Sequence, residues 1–241
     1  MTTLDHTEHP PPHPPSNNNP QPGPHAPSPG RQGGGRVSRL QLTFDDGPQP
    51  VSSALTPILR LLDGYGVKAI FFVLGSEVQQ NRWALTSIIQ KGHFIGNHTW
   101  AHEVAEKIKD DKKIYDAYKR CHDEVKAASG ISMLYWRAPE LSQPRRVTQL
   151  IVHGNPKLYS MSHCDVHGDS KDAKGASPTA KIMLDEIHKS LQTREHVTHS
   201  DGSMSKRLLF HVTPNTAKHL KTVLDSLRQS GYTFVDFYQQ H

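Results

Sequence analysis

Leu40-Gln-Leu-Thr-Phe-Asp-Asp-Gly-Pro48 carries the strongest signal in this sequence. The apolar side chains of its first half predict a short β-strand over residues 40–44, and Gly47-Pro48 predicts a turn directly afterwards. Two adjacent carboxylates, Asp45 and Asp46, lie between strand and turn. Neighbouring acids repel each other, so a fold that holds both ionised at a strand end requires a cation there.

A second stretch, Gly96-Asn-His-Thr-Trp-Ala-His102, contains two histidines four residues apart. If this stretch turns like a helix, both imidazoles project from one face. Asp46, His98 and His102 would then offer a divalent metal three protein ligands and leave one position open, as in catalytic zinc sites. Asp45 would remain available as a general base.

These residues resemble a known family. Thr43-Phe-Asp-Asp-Gly-Pro48 and His98-Thr-Trp-Ala-His102 are similar to the first two motifs of the polysaccharide deacetylases, carbohydrate esterase family 4, whose catalytic unit is the NodB homology domain. The resemblance runs in motif order from about Arg39 to Phe237. It implies an α/β fold, a distorted and incomplete (β/α) barrel, and the removal of N-acetyl groups from N-acetylated sugars of a polysaccharide such as peptidoglycan, chitin or chito-oligosaccharide.

The first 36 residues differ in composition from the rest of the chain. They hold ten of the eighteen prolines and five of the seventeen glycines, with scarcely an apolar side chain. Such a segment buries too little apolar surface to offset its ordering entropy. We therefore predict a disordered Pro/Gly/His-rich tail over residues 1–36 and a NodB-like domain over residues 37–241.

Charge and hydropathy exclude other classes of function. The net charge is +5, but basic residues alternate with acids, as in residues 107–113, so no nucleic-acid surface is predicted. No apolar run approaches membrane-spanning length. The N-terminus lacks the apolar core of a signal peptide, although the resemblance implies an extracytoplasmic or secreted protein. Cys121 and Cys164 are the two cysteines of the chain, so one disulfide between them is not excluded by the sequence. The sequence does not predict an oligomeric state.

Beyond the tail, short β-like runs alternate with helix-like segments. This alternation predicts a parallel sheet with crossover helices, whose chemistry lies at the carboxyl ends of the strands. The predicted strands cover residues 40–44, 67–74, 94–95, 134–136, 157–161, 207–210 and 233–235. The predicted helices cover residues 53–62 (closed by Gly64), 77–90, 103–129, 145–152, 179–192 and 216–229.

The motifs imply a metal-dependent hydrolysis. The resemblance assigns the second aspartate, Asp46, to the metal with His98 and His102, and the first, Asp45, to the general base. Zinc suits imidazole and carboxylate at an open site, while cobalt, nickel and iron remain alternatives. A metal lowers the pKa of bound water, Asp45 removes its proton, and the resulting hydroxide attacks the acetyl carbonyl.

Arg137, in Trp136-Arg-Ala-Pro-Glu140, resembles the arginine of the third motif, which fixes the base through a charge-assisted hydrogen bond. Pro139 and Glu140 are predicted to contact the substrate. The family usually has an aromatic residue in place of Glu140, whose backbone N–H would help to bind the oxyanion. We interpret the glutamate as a difference in specificity.

His211, in Leu208-Leu-Phe-His-Val-Thr213, resembles the fifth motif and would protonate the leaving amine, with Leu209 lining the pocket for the acetyl methyl. The fourth motif is imperfect. The family has an aspartate pair and a tryptophan, whereas this chain has His163-Cys-Asp-Val-His-Gly-Asp-Ser170. Asp165 and Asp169 are both candidates for orienting His211, with Asp169 preferred. Alternatively, His163, Cys164, His167 and Asp169 form a second metal cluster.

Three readings of function stay open on the sequence. The first is N-deacetylation of a polysaccharide. The second, kept open by Glu140 and Ser170, is hydrolysis of another carbonyl substrate, either an O-acetylated polysaccharide or a small cyclic amide as in allantoinase-like relatives. The third is a catalytically silent sugar-binding module, which would need neither Asp45 nor His211.

Overall fold

A curled sheet of nearly all parallel strands organises the part of the chain that the computed structural model describes, which is residues 37–48, 54–154, 158, 161–173 and 177–237. The strand order is β5-β4-β3-β2-β1-β8-β6. A ninth strand, β9, pairs in parallel with β1, and β7 pairs antiparallel with β8. The strands are β1 (Arg39–Gly47), β2 (Ile70–Val73), β3 (Phe94–Asn97), β4 (Tyr135–Trp136), β5 (Ser162–His163), β6 (Gly168–Asp169), β7 (Val197–Thr198), β8 (Met204–His211) and β9 (Thr233–Phe234).

Helices connect successive parallel strands. Among the described residues, the end strands β5 and β6 do not pair with each other, so the barrel is incomplete, as the family resemblance implies. The helices are α1 (Leu55–Tyr65), α2 (Gly75–Gln80), α3 (Arg82–Gln90), α4 (Asp111–Ser129), α5 (Pro144–His153), α6 (Ala180–Ser190) and α7 (Pro214–Gln229). Short 3-10 turns cover Ala105–Lys107 and Pro139–Leu141.

The central strand β1 is buried on both faces, because it lies between helices and the inside of the curl. Successive side chains of a strand point to opposite faces. Leu40, Leu42 and Phe44 pack into the large apolar core that includes the helices. The alternate residues Gln41, Thr43 and Asp45 are also buried and face the other side. The strand therefore delivers a row of polar groups to the inside of the curl, ending at Asp45.

The inside of the curl also has an apolar part. Ile70 and Phe72 of β2 pack there with Tyr135, Cys164 and Phe237, in a small cluster separate from the main core. Both described cysteines, Cys121 and Cys164, are buried and free, so they form no disulfide with each other. Among the described residues, no helix is long and apolar enough to cross a membrane.

The first helix ends later than the sequence predicts. It continues through Gly64 to Tyr65, since Gly66 is the residue that adopts the left-handed conformation, with a φ of 65°. A glycine in this conformation closes many helices, because it has no Cβ to clash. The predicted tail over residues 1–36 lies outside the described residues, as does most of the predicted strand over residues 157–161.

Two predicted helices differ from expectation, one because it is divided and one because it starts later. The helix predicted over residues 77–90 is divided at Asn81, whose backbone leaves the helical region with φ of −132° and ψ of 50°. The helix predicted over residues 103–129 begins only at Asp111. The side chain of Asp110 accepts a hydrogen bond from the backbone N–H of Lys112, which is an N-cap, so the helix starts there.

Candidate active site

Asp46, His98 and His102 converge at the carboxyl end of the sheet. Oδ1 of Asp46 lies 3.4 Å from Nε2 of His98 and 3.5 Å from Nε2 of His102. One potential ligand atom from each residue lies within 4.8 Å of the other two. No other group of three or more His, Cys, Asp or Glu side chains with this geometry occurs in the part of the chain that the structure describes. The predicted ligand set is therefore brought together.

The loop that carries both histidines is a left-handed turn and not the helical turn that their spacing predicts. Thr99 and His102 have positive φ values of 73° and 65°. The first N–H of α2, on Gly75, donates to the carbonyl of Thr99 at 3.0 Å and anchors the loop. A Cβ on Gly75 would lie 2.6 Å from the ring of Trp100, so only glycine permits this approach.

The donor set fits a divalent cation. Nδ1 of His98 lies 2.9 Å from the backbone carbonyl of Arg137 and must donate to it, so the neutral ring presents a lone pair at Nε2. That lone pair faces the Asp46 carboxylate, whose Oδ1 is buried without a hydrogen-bond partner. Two electron-rich atoms in this position repel each other unless a cation lies between them.

Burial and neighbouring charges set the protonation of these ligands. Burial lowers the pKa of His102, which favours the neutral imidazole that a metal requires. Burial by itself would raise the pKa of Asp46. The hydrogen bond with His98 and the positive charges that His98, His211 and His102 have when they are protonated outweigh that cost, so the pKa of Asp46 lies below its usual value.

Asp45 is held by a fully buried arginine. Arg137 donates from its Nη1 to Oδ1 of Asp45 at 2.7 Å and to Oγ1 of Thr43 at 2.8 Å. Its Nε donates to the carbonyl of Cys164 at 3.2 Å, and the guanidinium lies 4.3 Å above the ring of Phe72. Burial opposes the charge of Arg137, but Asp45 outweighs that cost and raises the pKa of Arg137. The predicted pairing of base and arginine is present.

His211 lies at the end of β8, in register with Asp45 on the neighbouring strand β1, and its partner is Asp172. Oδ1 of Asp172 lies 2.7 Å from Nδ1 of His211, and Oδ2 accepts the backbone N–H of the same residue at 2.8 Å. The hydroxyl of Thr216 also donates to Oδ2. Burial would lower the pKa of His211, but the hydrogen bond and charge of Asp172 raise it to about 9.

The prediction that Asp165 or Asp169 orients His211 is wrong. The carboxylate of Asp169 instead accepts the backbone N–H and the ammonium of Lys171. Asp165 pairs with Nδ1 of His163 at 2.8 Å, and its side chain is 64% exposed. Asp172, three residues beyond Asp169, is the aspartate that contacts His211, and no local feature of the sequence distinguishes it from Asp165 and Asp169.

The alternative of a second metal cluster is not supported. His163, Cys164, His167 and Asp169 do not bring ligand atoms together, as judged over the described residues. Cys164 contacts Arg137. Nδ1 of His167 accepts the backbone N–H of Arg207 at 3.1 Å. Each of these side chains therefore has a separate neighbour.

A cavity of about 490 Å³ opens above these groups. Its floor is formed by Asp45, Asp46, His98, His102 and His211. Of the predicted substrate contacts, Glu140 and Leu209 line it, whereas Pro139 is buried and is not among the described lining residues. The carboxylate of Glu140 pairs with Lys107 at 2.9 Å, and its backbone has a φ of 54°. The arrangement can hold a cation, accept a proton on one side and donate a proton on the other.

Comparison with protein families gives one match to this region. The family model described as polysaccharide deacetylase matches residues 33–153. That span contains Asp45, Asp46, His98, His102 and Arg137, and it ends before the strand that carries His211.

Two bacterial relatives match most of the chain. It is 30% identical over 198 residues to the peptidoglycan-N-acetylglucosamine deacetylase PgdA of Listeria monocytogenes, covering 82% of this chain and 37% of that protein. It is 29% identical over 200 residues to the peptidoglycan-N-acetylglucosamine deacetylase of Bacillus cereus, covering 81% of this chain and 84% of that one. The chain thus spans little more than a third of the length of the Listeria relative.

Solved structures share the fold. A family 4 carbohydrate esterase from Streptomyces lividans in complex with acetate superposes with a TM-score of 0.65 at 18% identity, covering 84% of this chain and 93% of that one. A family 4 pseudoenzyme from Bacillus anthracis superposes with a TM-score of 0.67 at 20% identity, covering 83% and 64%. Since an esterase and a pseudoenzyme both have this fold, only the site residues bear on activity.

Proposed function

The chain belongs to the polysaccharide deacetylase family, and we propose that it is a metal-dependent hydrolase that removes N-acetyl groups from N-acetylated sugar units of a polysaccharide. One observation carries the proposal. The cluster of Asp46, His98 and His102 lies in one cavity with a buried carboxylate, Asp45, and a histidine held by a carboxylate, His211. Peptidoglycan, chitin and chito-oligosaccharides are the substrates that we propose.

Asp46, His98 and His102 would hold the cation, and zinc is the ion that we propose. Two imidazoles and one carboxylate with an open position are the ligands typical of catalytic zinc, while cobalt, nickel or iron could replace it. When bound, the ion supplies Lewis-acid polarisation of the acetyl carbonyl and lowers the pKa of water. Such substrates are cell-wall polymers, so the proposal includes a place of action outside the cytoplasm.

Asp45 is the base that takes a proton from the attacking water. Its carboxylate has one oxygen on Arg137 and the other 3.8 Å from Nε2 of His98, beside the metal ligands. Arg137 donates to acceptors of three residues, Cys164, Thr43 and Asp45, so it fixes the carboxylate in one orientation. A base held in this way needs no reorganisation when the proton moves.

His211 is the acid that protonates the departing amine. Because Asp172 raises its pKa to about 9, the imidazole carries its proton at neutral pH. Asp172 binds Nδ1, which leaves Nε2 as the nitrogen that faces the cavity and donates. Asp45 and His211 end the paired strands β1 and β8 and line the same cavity, so a base and an acid are available together, as cleavage of an amide requires.

The first test is acetate release from N-acetylated chito-oligosaccharides, using chelated protein and the same protein reloaded with zinc or cobalt. We expect release only after reloading. Absence of release with every metal would contradict the proposal.

Two further substrates separate the alternatives. Release of acetate from acetylated xylan without release from chito-oligosaccharide would identify an O-acetyl esterase. Binding of chito-oligosaccharide by the metal-loaded protein without turnover would identify a silent binding module.

A further inference from the structure

The loop that carries the two histidines of the candidate metal site also carries an indole, Trp100. Its ring is not among the described residues that line the active-site cavity. It lines instead a separate cavity of about 370 Å³, together with Gln79 of α2 and residues of α4. The loop therefore presents His98 and His102 to the metal site and Trp100 to α4.

Arg120 of α4 lies over this indole. The guanidinium carbon is 3.5 Å from the centroid of the Trp100 ring, which is the geometry of a cation–π contact. A Cβ on Gly75 would lie 2.6 Å from the same ring, so the backbone of Gly75 also packs against it. The indole therefore contacts a cation from α4 and the first residue of α2.

The charges around Arg120 indicate that the indole is its partner. Three acids line the same cavity, and each pairs with another cation: Asp116 with Lys112, Asp123 with Lys119, and Glu124 with Arg82. Within the described parts of the chain, no carboxylate lies within salt-bridge distance of Arg120. The position of this arginine is therefore explained by the ring beneath it and not by an ion pair.

The loop needs support because its backbone is left-handed at Thr99 and His102, with φ values of 73° and 65°. Left-handed backbone at residues other than glycine costs free energy and persists where surrounding contacts hold it. Gly75 and Ser76 donate their N–H groups to two carbonyls of the loop, at 3.0 and 2.9 Å. The side chain of Trp100 adds the contact with Arg120 to these backbone bonds.

A second contact ties α4 to the same loop. The side chain of Asn97 donates to the backbone carbonyl of Tyr118 at 2.8 Å and accepts the N–H of Thr99 at 2.9 Å. Asn97 is fully buried, whereas Arg120 is exposed. Arg120 can therefore be replaced without opening a cavity in the core, and it is the residue at which the support from α4 can be tested.

We propose that Arg120 is a positioning residue for the metal ligands, because its contact with Trp100 keeps the loop of residues 98–102 in the ligand geometry before the ion binds. This inference rests on the proposed function, from which it takes the ligand set. The apparent Kd of an ion rises as the population of the binding-competent form of the protein falls. Loss of the contact therefore weakens metal binding without removing a ligand.

The test compares Arg120→Ala with the wild-type full chain. Alanine favours the helical conformation, so α4 should remain intact. The Kd for zinc is measured on chelated protein by competition with a chromophoric chelator, and hydrogen exchange of residues 98–103 is measured with and without zinc. We expect a Kd about fivefold weaker than that of the wild type. Exchange should be faster in the metal-free variant than in the metal-free wild type, and equal in the two when zinc is saturating.

Two further variants make the result specific. Lys113→Ala removes an exposed cation of the same helix that does not line the cavity, and it should leave the Kd for zinc unchanged. Trp100→Leu removes the ring, so adding Arg120→Ala to it should weaken zinc binding by less than about twofold further. Thermal melting of the metal-free proteins identifies any variant that fails to fold. If Trp100→Leu fails, the Kd and the exchange of Arg120→Ala decide.

The outcomes separate this inference from the proposed function. A wild-type Kd for zinc in the folded Arg120→Ala variant would overturn the inference, whether or not acetate is released. An equal loss from Arg120→Ala with and without the ring of Trp100 would also overturn it, because the arginine would then act through another contact. Zinc binding that depends on Arg120 without any turnover would support the inference and overturn the proposed hydrolysis. Absence of zinc binding by the wild-type protein would overturn both.

Discussion

The two sides of the active-site cavity are built differently. On one side, Asp45 and Asp46 lie on β1 and His98 directly follows β3, which is separated from β1 by β2, and Arg137 is buried behind them. On the other, His211 ends β8 and meets an aspartate from the turn after β6. The first side is fixed mainly by residues within short motifs. Both depend on distant contacts, across 92 positions from Asp45 to Arg137 and across 39 positions from Asp172 to His211, but Asp172 belongs to no motif that the sequence identifies.

The two sides also carry charge differently. Arg137 is a buried cation whose partner is Asp45, so loss of either leaves a buried charge without compensation. Asp172 is a buried anion that accepts hydrogen bonds from the ring and backbone of His211 and from Thr216. The first pair orients the proposed base, whereas the second maintains the proposed acid in its protonated form.

The largest expected effect distinguishes the proposed base from the proposed metal ligands on the first side of the cavity. Asp45→Asn should lower kcat by about 100-fold to 10,000-fold, since the amide cannot take a proton but still offers an oxygen to Arg137. It should retain the metal. His98→Ala should lose both metal and activity, because it removes a ligand. Metal content by elemental analysis, measured together with kcat, distinguishes the two variants. Near-normal activity in Asp45→Asn would contradict the assignment of Asp45 as the base.

The next-largest expected effect tests the contact between Asp172 and His211 on the second side of the cavity. Asp172→Asn should lower kcat by about 100-fold or more, because an amide cannot hold the charged imidazole and disturbs its tautomer. Asp165→Asn and Asp169→Asn are matched controls, since neither carboxylate contacts His211 in the structure. We expect a fall below about threefold in both controls. A larger loss of kcat in Asp169→Asn than in Asp172→Asn would mean that Asp169, and not Asp172, supports His211.

The pH profile of the same variant reports the acid directly. His211 acts in its protonated form and its pKa is raised to about 9, so activity should be present at neutral pH and fall as pH rises through that value. Asp172→Asn removes the group that raises this pKa. The alkaline fall of kcat should then begin at a lower pH. An unchanged alkaline limb in the variant would exclude His211 as the titrating acid.

The sequence predicts the first side well because its information is local. Asp45 and Asp46 follow one another at a strand end, and His98 and His102 are separated by a fixed spacing. The second side is predicted only in part. The strand pattern identifies His211, but three aspartates lie between residues 165 and 172, and only tertiary packing determines which one reaches it.

Backbone conformation is a further limit on prediction. A spacing of four residues between histidines predicts a helical face, yet Thr99 and His102 are left-handed and the ligands still converge. The loop takes this form because Gly75 and Ser76 bind its carbonyls from the start of α2. Such support comes from a distant segment, so it is not visible in the motif.

A smaller expected effect tests whether the hydrogen bond between Thr43 and Arg137 contributes to kcat. Thr43 accepts a hydrogen bond from Arg137 and donates to the carbonyl of Leu208 at 2.7 Å, so it is a positioning residue for Asp45. Thr43→Val keeps the shape and removes the hydroxyl, and we expect kcat to fall about tenfold with KM nearly unchanged. Thr43→Ser should restore most of the activity. Equal losses in both variants would indicate a packing role instead.

The smallest effect concerns the rim, where both sides of the cavity meet solvent. Lys107 pairs with Glu140, but their side chains are 67% and 54% exposed, so water screens the pair. Exposed pairs contribute about 0–1 kcal/mol to stability. Lys107→Met should therefore change the free energy of unfolding by less than about 1 kcal/mol, and kcat by less than about twofold. A tenfold loss of kcat in this variant would mean that the ion pair holds the Glu140 backbone in its left-handed conformation. The rim residues would then contribute to the geometry of the site, as the buried pair of Asp45 and Arg137 does.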